Sequence, residues 1–415
     1  MSSDRKTRIP WLTGLKGLIC LQIFTHHFFL GIYPATFYGS EVPSKTASGI
    51  DTVMASHPLG AFINGNFGVC IFLMISAFLF ASKIMRDDLS GKRTDLFRLC
   101  SRRYFRLMVP FAATTCVYYA VVRTLDRLAM NTSGKTLHLP FKEALKHAVL
   151  YQWFFYDTEI DGIFWTMALF LWGAMLAAFF ALFDRRERWY MSLVYLAVSV
   201  PIVLKDHYYA GVLFGVILAD LVCYGRLERL WGRVSGRFSG AGSPESETVG
   251  GGSAGVAGLR AAAGACLLLL GIFLGGFPSH APVEGTVYAL VPAPGLLGVI
   301  RYDYMHCWGA FFLIAAFFLL PLSLRLNGRV MQHLGDISFS FYLMHMLVLE
   351  YFGYWFHMTL EQRTGSPLLA GIGTWLVCVA LILLGAEFLH RTAEKWSTVL
   401  PEKAAAVAGK LISGR

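Results

Sequence analysis

Two ionisable side chains, Lys16 and His27, lie within the first long apolar run of the sequence, from Trp11 to about Tyr33. A helix turns 100° per residue, so two positions eleven residues apart lie on one face, within about 20° of each other and about 16 Å apart along the axis. An ionisable group in a membrane span costs about 3 kcal/mol or more, so each one is a functional candidate. Histidine titrates near neutrality and suits a catalytic base, whereas a lysine suits an anionic ligand.

The same pair also has a purely structural explanation. The Lys16 ammonium could reach the inner membrane interface along its flexible stem, and the His27 ring could hydrogen-bond to a neighbouring helix. His26 points about 100° away from His27 and is therefore the weaker catalytic candidate.

A basic segment, Arg102-Arg103-Tyr-Phe-Arg106, stands directly before another apolar run. Arg103 and Arg106 are three residues apart and share one face of a helix that starts at the membrane surface. A guanidinium group binds phosphate through paired hydrogen bonds, so these arginines could hold a phosphorylated ligand. They are also what a topology signal or a contact with anionic lipid headgroups requires.

Further polar side chains interrupt apolar runs later in the chain. Tyr342 lies four residues after Ser338 and three before His345, so the spacing predicts one helical stripe that faces the protein interior. In the second apolar run, Ser76 lies with Gly68 and Ala77, small residues that permit close helix contact.

Acidic residues near the ends of apolar runs are expected at the membrane interface, where Asp220, Glu350 and Glu387 need no functional role. The cluster Asp157, Glu159 and Asp161 falls in a long predicted external loop and could shape the mouth of an acceptor site. No group of residues has convincing spacing for a metal.

The composition requires a membrane protein. Of the 415 residues, 56% are hydrophobic and 15% charged, and the mean hydropathy is +0.54, whereas a soluble domain is about half apolar and a quarter charged. The long runs predict an all-α, polytopic integral membrane bundle of about ten transmembrane helices. The predicted spans are about 11–33, 63–82, 107–122, 163–183, 189–204, 208–224, 259–277, 305–322, 337–356 and 367–389.

The net charge of +10 is explained by topology. With the N-terminus inside, 26 of the 36 Lys and Arg residues fall in inner segments, nine fall outside and Lys16 falls within a span. This bias predicts that both termini are cytoplasmic, in a plasma (inner) membrane, and it removes the need for a nucleic-acid partner.

Residues 1–415 are expected to form a single membrane domain. A stretch at about 232–258 is rich in Gly and Ser and has no apolar period, so it is predicted to be a flexible cytoplasmic linker.

Taken in order, these segments resemble the membrane acyltransferase family 3, a group of multispanning O-acyltransferases. Lys16 and His27 resemble its basic-x10-His signature, Arg103 and Arg106 its Arg-x-x-Arg motif. The segments Gly68-Val, Phe72 and Ser76-Ala-Phe, Phe164-Trp165-Thr, and Ile337-Ser-Phe to His345 resemble its other elements.

The resemblance implies an acyl-CoA donor, most often acetyl-CoA, as co-substrate and no bound cofactor. The acceptor would be a hydroxyl of a carbohydrate, a lipid-linked molecule or another small molecule, in or across the lipid membrane. His27 would act as base and Lys16 would orient the donor. Tyr342 or His345 would donate a hydrogen bond to the oxyanion, and an acyl-histidine relay stays open. The alternative function is a transporter or flippase that uses buried Lys, His and Glu residues.

Overall fold

The computed structural model describes residues 9–156, 159–205, 207–239, 251–291 and 301–402. In these residues the regular structure is helical, and no strand occurs. The longer helices are α1 Pro10–Ile32, α2 Gly65–Leu89, α3 Leu96–Arg127, α4 Trp165–Phe183, α5 Met191–Lys205, α6 Ala210–Cys223, α7 Arg226–Ser239, α8 Gly251–Gly275, α9 Arg301–Leu319, α10 Arg329–Asp336, α11 Ser338–Val348, α12 Tyr354–Thr364 and α13 Pro367–Leu389.

Short elements connect these helices. The α-helical turns are Ala35–Tyr38, Ile50–Met54, Phe141–Lys146 and Gln152–Phe154. The 3-10 turns are Gly39–Glu41, Pro58–Phe62, Gly162–Phe164, His207–Tyr209, Val287–Leu290 and Pro321–Asn327. Three segments are π-helical, with one extra residue in the turn: His147–Tyr151, Leu349–Gly353 and His390–Glu394.

Polar caps start several of the long helices. The side chains of Asn64, Asp95 and Ser366 accept hydrogen bonds from backbone N–H groups in the first turns of α2, α3 and α13. Each cap satisfies a donor that the helix itself leaves unpaired. Gly365, at φ 63°, ends α12 in the left-handed conformation that glycine adopts without a steric penalty.

Seven helices in the described part of the chain are long and apolar enough to cross a membrane, so the predicted count of about ten is not confirmed. The spans predicted at 189–204 and 208–224 coincide with shorter apolar helices, Met191–Ile202 and Ala210–Cys223. In the span predicted at 337–356, the π-helical turn Leu349–Gly353 joins α11 to α12 without a break in the helix, and this segment is not among the seven.

The predicted linker at 232–258 is helical at both ends, since α7 continues to Ser239 and α8 begins at Gly251. Its middle, residues 240–250, lies outside the described residues. Asp157, in the predicted acidic cluster, also lies outside them.

The chain divides into two compact units. Unit 1 comprises Met54–Thr94 and Gly173–Arg329, with the N-terminal segment up to Leu12. Unit 2 comprises Thr13–Val53, Asp95–Trp172 and Val330–Arg415. With the exception of Ser76, every residue that the sequence nominates for catalysis or donor binding belongs to unit 2.

Unit 1 is built on close contacts between α2, α6, α8 and α9. A Cβ atom at Gly309 of α9 would lie 2.8 Å from the backbone nitrogen of Gly275 in α8, so glycine is needed where these helices meet. Asp220, expected at the interface, is buried and accepts hydrogen bonds from Ser192 and Arg226.

In unit 2, α1 packs on α11 and α13. The Cys20 thiol of α1 donates to the backbone oxygen of Ser338, and Trp375 Nε1 of α13 donates to Thr25 Oγ1 at 3.1 Å. The Phe24 ring lies 6.2 Å from the Trp375 ring. Helix α3 also contacts α11 and α13, so the helices that carry the candidate residues form one packed group.

Candidate active site

A pair of histidines lies in the middle of unit 2. The ring of His27, from α1, lies 5.3 Å from the ring of His345, from α11. His345 is 1% exposed, whereas His27 is only partly buried. The Tyr342 ring lies 5.2 Å from the ring of His345. The structure therefore brings His27 together with two residues that lie more than 300 positions later in the sequence.

The hydrogen bonding of His345 defines which of its nitrogens carries a proton. Its Nδ1 lies within hydrogen-bond distance of the Tyr342 backbone oxygen, which can only accept, so Nδ1 must donate. In the neutral ring Nε2 then carries the lone pair. Nε2 is buried and has no hydrogen-bond partner among the described residues. A neutral His345 can thus accept a proton but cannot donate to an oxyanion from Nε2.

The hydroxyl of Tyr342 is held by the start of α4. It lies 2.8 Å from Thr166 Oγ1 and donates to the backbone oxygen of Ile163 at 3.2 Å. Trp165 begins α4 next to Thr166. The Tyr342 hydroxyl thus already has protein partners, and its role as an oxyanion donor stays a prediction. The sequence did not single out Thr166, whose hydroxyl is buried in this network.

Positively charged side chains lie around the N-terminal half of α1. Lys16 interacts electrostatically with Arg103 and Arg106 of α3, which also interact with each other. Asp336, at the end of α10, is the acidic residue that acts on Lys16. Three cations against one carboxylate leave this end of unit 2 positive, as an anionic ligand requires.

Two nominated residues do not join these groups. Arg102 is exposed and forms an ion pair with Glu402 at 2.7 Å, so its guanidinium is directed to the C-terminal segment. Ser76 belongs to α2 of unit 1 and is not part of the unit 2 geometry. His26, the weaker candidate, packs its ring 4.3 Å from Phe37 and also lies 5.0 Å from the His27 ring.

A cavity of about 410 Å³ lies in unit 2, beyond the histidine pair along α3 and α11. Its walls include Tyr118, Lys135, Asp161, Glu350 and Tyr351. Glu350 was expected at the membrane interface, but it is 6% exposed and forms an ion pair with Lys135. The expectation was wrong because a loop after α3 brings Lys135 over the end of α11.

Asp161 is the second buried carboxylate of the cavity. It accepts a hydrogen bond from the Tyr118 hydroxyl and one from the backbone nitrogen of Ile163. Burial and the nearby Glu350 carboxylate raise the pKa of Asp161 to about 6. Asp161 is therefore mostly ionised at neutral pH.

Comparison with known families gives one match that covers most of the chain. Comparison with curated proteins, and with solved structures, gave no match. The family model described as an acyltransferase domain, of acyltransferase family 3, matches residues 9–386, a range that includes both histidines and the three cations. This chain belongs to acyltransferase family 3 and is a membrane acyltransferase.

Proposed function

We propose that the protein transfers an acyl group, typically acetyl, from cytoplasmic acyl-CoA to a hydroxyl of a carbohydrate or other small acceptor. The observation that carries the proposal is the shared placement of two sites on one helix. Helix α1 bears Lys16 in the cationic group and His27 in the histidine pair. A donor anchored by its phosphates at the first site would extend its thioester towards the second.

The donor phosphates are held by Arg103 and Arg106, with Lys16 beside them. Arginine suits this role because its planar guanidinium binds two phosphate oxygens at once, while lysine acts as a point charge. The distance along α1 from Lys16 to His27, about 16 Å, must be spanned by the flexible arm of the donor.

His27 acts as the general base. As the acceptor oxygen attacks the thioester carbon, its proton passes to His27, the C–O bond forms and the C–S bond breaks. The proton then passes from His27 to the departing thiolate, so that free CoA leaves as a thiol. His345 offers Nε2 as a hydrogen-bond acceptor at this site. Its Nδ1–H donates to the Tyr342 carbonyl and so fixes the orientation of the ring.

The direct test is free-thiol release from acetyl-CoA by the purified full chain in lipid nanodiscs, with and without candidate acceptors. We expect thiol release that increases when a hydroxyl-bearing acceptor is added, with label from acetyl-CoA found on that acceptor. Absence of thiol release, together with accumulation of an unmodified solute inside liposomes, would establish the transporter instead.

The side of donor entry has its own test. The bias of basic residues places the segment from Lys83 to Arg106 in the cytoplasm and the segment from Pro34 to Phe62 outside. Ser90 and Ser48 are exposed, so we expect a membrane-impermeant thiol reagent on intact cells to label Ser48→Cys and not Ser90→Cys. The parent chain gives the background from its native cysteines, and labelling of Ser90→Cys from outside would reverse the topology.

A further inference from the structure

We propose that the acidic cavity of unit 2, lined by Tyr118, Lys135, Asp161, Glu350 and Tyr351, binds the acceptor and selects uncharged acceptors over anionic ones. The proposal rests on the proposed function, because it assigns the site of the second substrate of the same transfer reaction. The family match assigns no acceptor site and no such selectivity.

The size and lining of the cavity fit a small polar ligand. Its volume of about 410 Å³ lies in the range of small-molecule sites, roughly 300–1,000 Å³. Tyr118 and Tyr351 stand edge to face with ring centroids 6.2 Å apart. They give the cavity an aromatic wall, against which the apolar C–H face of a sugar ring can pack.

The charge of the cavity selects against anions. Its lining includes three carboxylates, those of Glu159, Asp161 and Glu350, and one lysine, Lys135. Glu159 and Lys135 are exposed, but the carboxylates of Asp161 and Glu350 are buried, where charges are weakly screened, so a phosphorylated or carboxylated molecule would meet net repulsion. Hydroxyl groups, by contrast, donate to carboxylates in short charge-assisted hydrogen bonds.

The cavity is ordered before any ligand arrives. The loop that carries Lys135 is closed by Asn131, whose side chain donates to Asp126 and to the backbone oxygen of Lys135, and accepts from Ser133. Glu350 lies in the π-helical turn Leu349–Gly353, a feature frequent at functional sites because it redirects a side chain. Pre-organisation of this kind lowers the entropic cost of binding.

The cavity is connected to the histidine pair by contacts within unit 2. Asp161 accepts a hydrogen bond from the Ile163 N–H, and the Ile163 carbonyl accepts one from Tyr342. The Tyr342 ring packs against His345. The cavity is therefore connected to the histidine pair through Ile163 and Tyr342, and an acceptor bound in it would extend its hydroxyl towards that pair. The donor enters from the cationic group and the acceptor from the cavity, so the two substrates meet at His27.

The experiment measures sugar binding without any donor, by calorimetry on the full chain in nanodiscs. The probes are methyl glucoside, which is neutral, and glucuronate, which has the same ring and one carboxylate. We expect methyl glucoside to bind more tightly than glucuronate. Asp161→Asn and Glu350→Gln should each weaken methyl glucoside binding about 10-fold or more and reduce the discrimination against glucuronate.

Asp161→Asn keeps one oxygen for the Ile163 N–H, and its new NH2 group can donate to the Tyr118 hydroxyl, which then accepts. In Glu350→Gln the released Lys135 is largely exposed to solvent, so both variants should fold. Glu143→Gln is the matched control, because Glu143 pairs with Lys146 outside the cavity, and it should bind like the parent. No binding of methyl glucoside, equal binding by parent and cavity variants, or tighter binding of glucuronate would each overturn the proposal.

CoA binding and thiol release from acetyl-CoA separate this proposal from the proposed function. If the cavity variants bind CoA as tightly as the parent does in calorimetry, the cavity serves the acceptor alone, as proposed. If the cavity variants lose CoA binding as well, the cavity belongs to the donor half and the acceptor assignment is wrong. If the parent releases no thiol but sugar binding depends on Asp161, the proposed transfer fails while the sugar site stands.

Discussion

The two ends of unit 2 carry opposite charge. At one end Lys16, Arg103 and Arg106 outnumber Asp336, and at the other Asp161 and Glu350 share the cavity with Lys135. Both ends are built on the same helices, since α3 contributes Arg103 and Tyr118 and α11 lies between Asp336 and Glu350.

The opposite charge of the two ends can keep two substrates apart within one helical bundle. Acyl-CoA is a polyanion and is attracted to the first end and repelled from the second, while a neutral acceptor is indifferent to net charge and is held by hydrogen bonds. The histidine pair lies between the ends, where neither charge dominates. Substitutions at the centre should therefore stop transfer, and substitutions at either end should weaken one substrate alone.

The largest effect is expected at the centre. His27→Ala should lower single-turnover transfer from labelled acetyl-CoA by about two orders of magnitude or more, because the base that removes the acceptor proton is lost. Binding of CoA and of acceptor should change little, and the loss of stability should be about 1–3 kcal/mol.

His26→Ala is the matched control for this variant. His26 packs against Phe37 on the neighbouring face of α1, so its loss should affect transfer much less. Transfer by His27→Ala at near the parent rate would show that the base lies elsewhere, and His345, with its buried Nε2, would be the next residue to test.

The sequence predicted the cationic end of unit 2 and the histidine pair better than it predicted the acidic cavity. Lys16 and His27, and likewise Arg103 and Arg106, lie on single helices, so spacing alone gives their common face. The cavity takes Tyr118, Lys135, Asp161 and Glu350 from four separate stretches, and no spacing rule connects these. One signal was Glu350 in an apolar run, and it was set aside because its run was expected to end at the interface. The other was the acidic cluster of Asp157, Glu159 and Asp161, which was predicted to shape the mouth of an acceptor site and contributes Glu159 and Asp161 to the cavity.

Spacing rules have the same limit for the number of membrane spans and for the choice of the oxyanion donor. A periodic apolar run predicts a helix, but it does not reveal the π-helical turn Leu349–Gly353 within the run at 337–356. The sequence also could not show that the Tyr342 hydroxyl and the His345 Nδ1 are already engaged, because their partners are Thr166 and backbone carbonyl groups.

The next largest effect is expected at the cationic end, on the affinity for CoA. Arg103→Ala and Arg106→Ala should each weaken CoA binding about 10-fold to 100-fold, since each removes charge-assisted hydrogen bonds to phosphate. Lysine at either position should restore only part of the affinity, because it lacks the forked geometry. Calorimetric titration with CoA measures this, and binding of methyl glucoside should stay at the parent value.

Arg102→Ala is the control, as Arg102 pairs with Glu402 and not with the cationic group. We expect CoA binding close to that of the parent. Unchanged CoA affinity in the double Arg103→Ala, Arg106→Ala variant would leave these arginines as topology signals.

A smaller effect is expected for Tyr342→Phe. The change removes one hydroxyl, while Thr166 still donates to the Ile163 oxygen, so the cost in stability should be about 1 kcal/mol. If Tyr342 only positions the site, kcat should fall a few-fold with CoA affinity unchanged. A fall in kcat of more than 100-fold in a variant of parent-like stability would instead make Tyr342 an oxyanion donor.

The smallest effect concerns pH at the acidic end. The pKa of Asp161 is raised to about 6 by burial and by the Glu350 carboxylate, above the usual value of about 4. Between these values the folded chain holds a proton that the unfolded chain has released, so this group makes stability fall as pH rises from about 4 to 6. Acceptor binding has the opposite pH dependence and strengthens as pH rises, because the ionised carboxylate is the better acceptor of hydroxyl hydrogen bonds. As pH falls through about 6, we expect the KM for the acceptor to rise a few-fold.

Other carboxylates also titrate in this window, so the informative quantity is the difference between the parent and Asp161→Asn. Thermal unfolding in nanodiscs should give a parent Tm that falls, relative to that of Asp161→Asn, between pH 4 and pH 6. The rise in acceptor KM on acidification should be present in the parent and absent from the variant. Glu350, Lys135 and Tyr118 surround Asp161 in both proteins, so the two proteins differ only at residue 161. If the two proteins keep parallel profiles of both Tm and KM, Asp161 does not titrate in this window, and the charge contrast between the two ends does not depend on its proton.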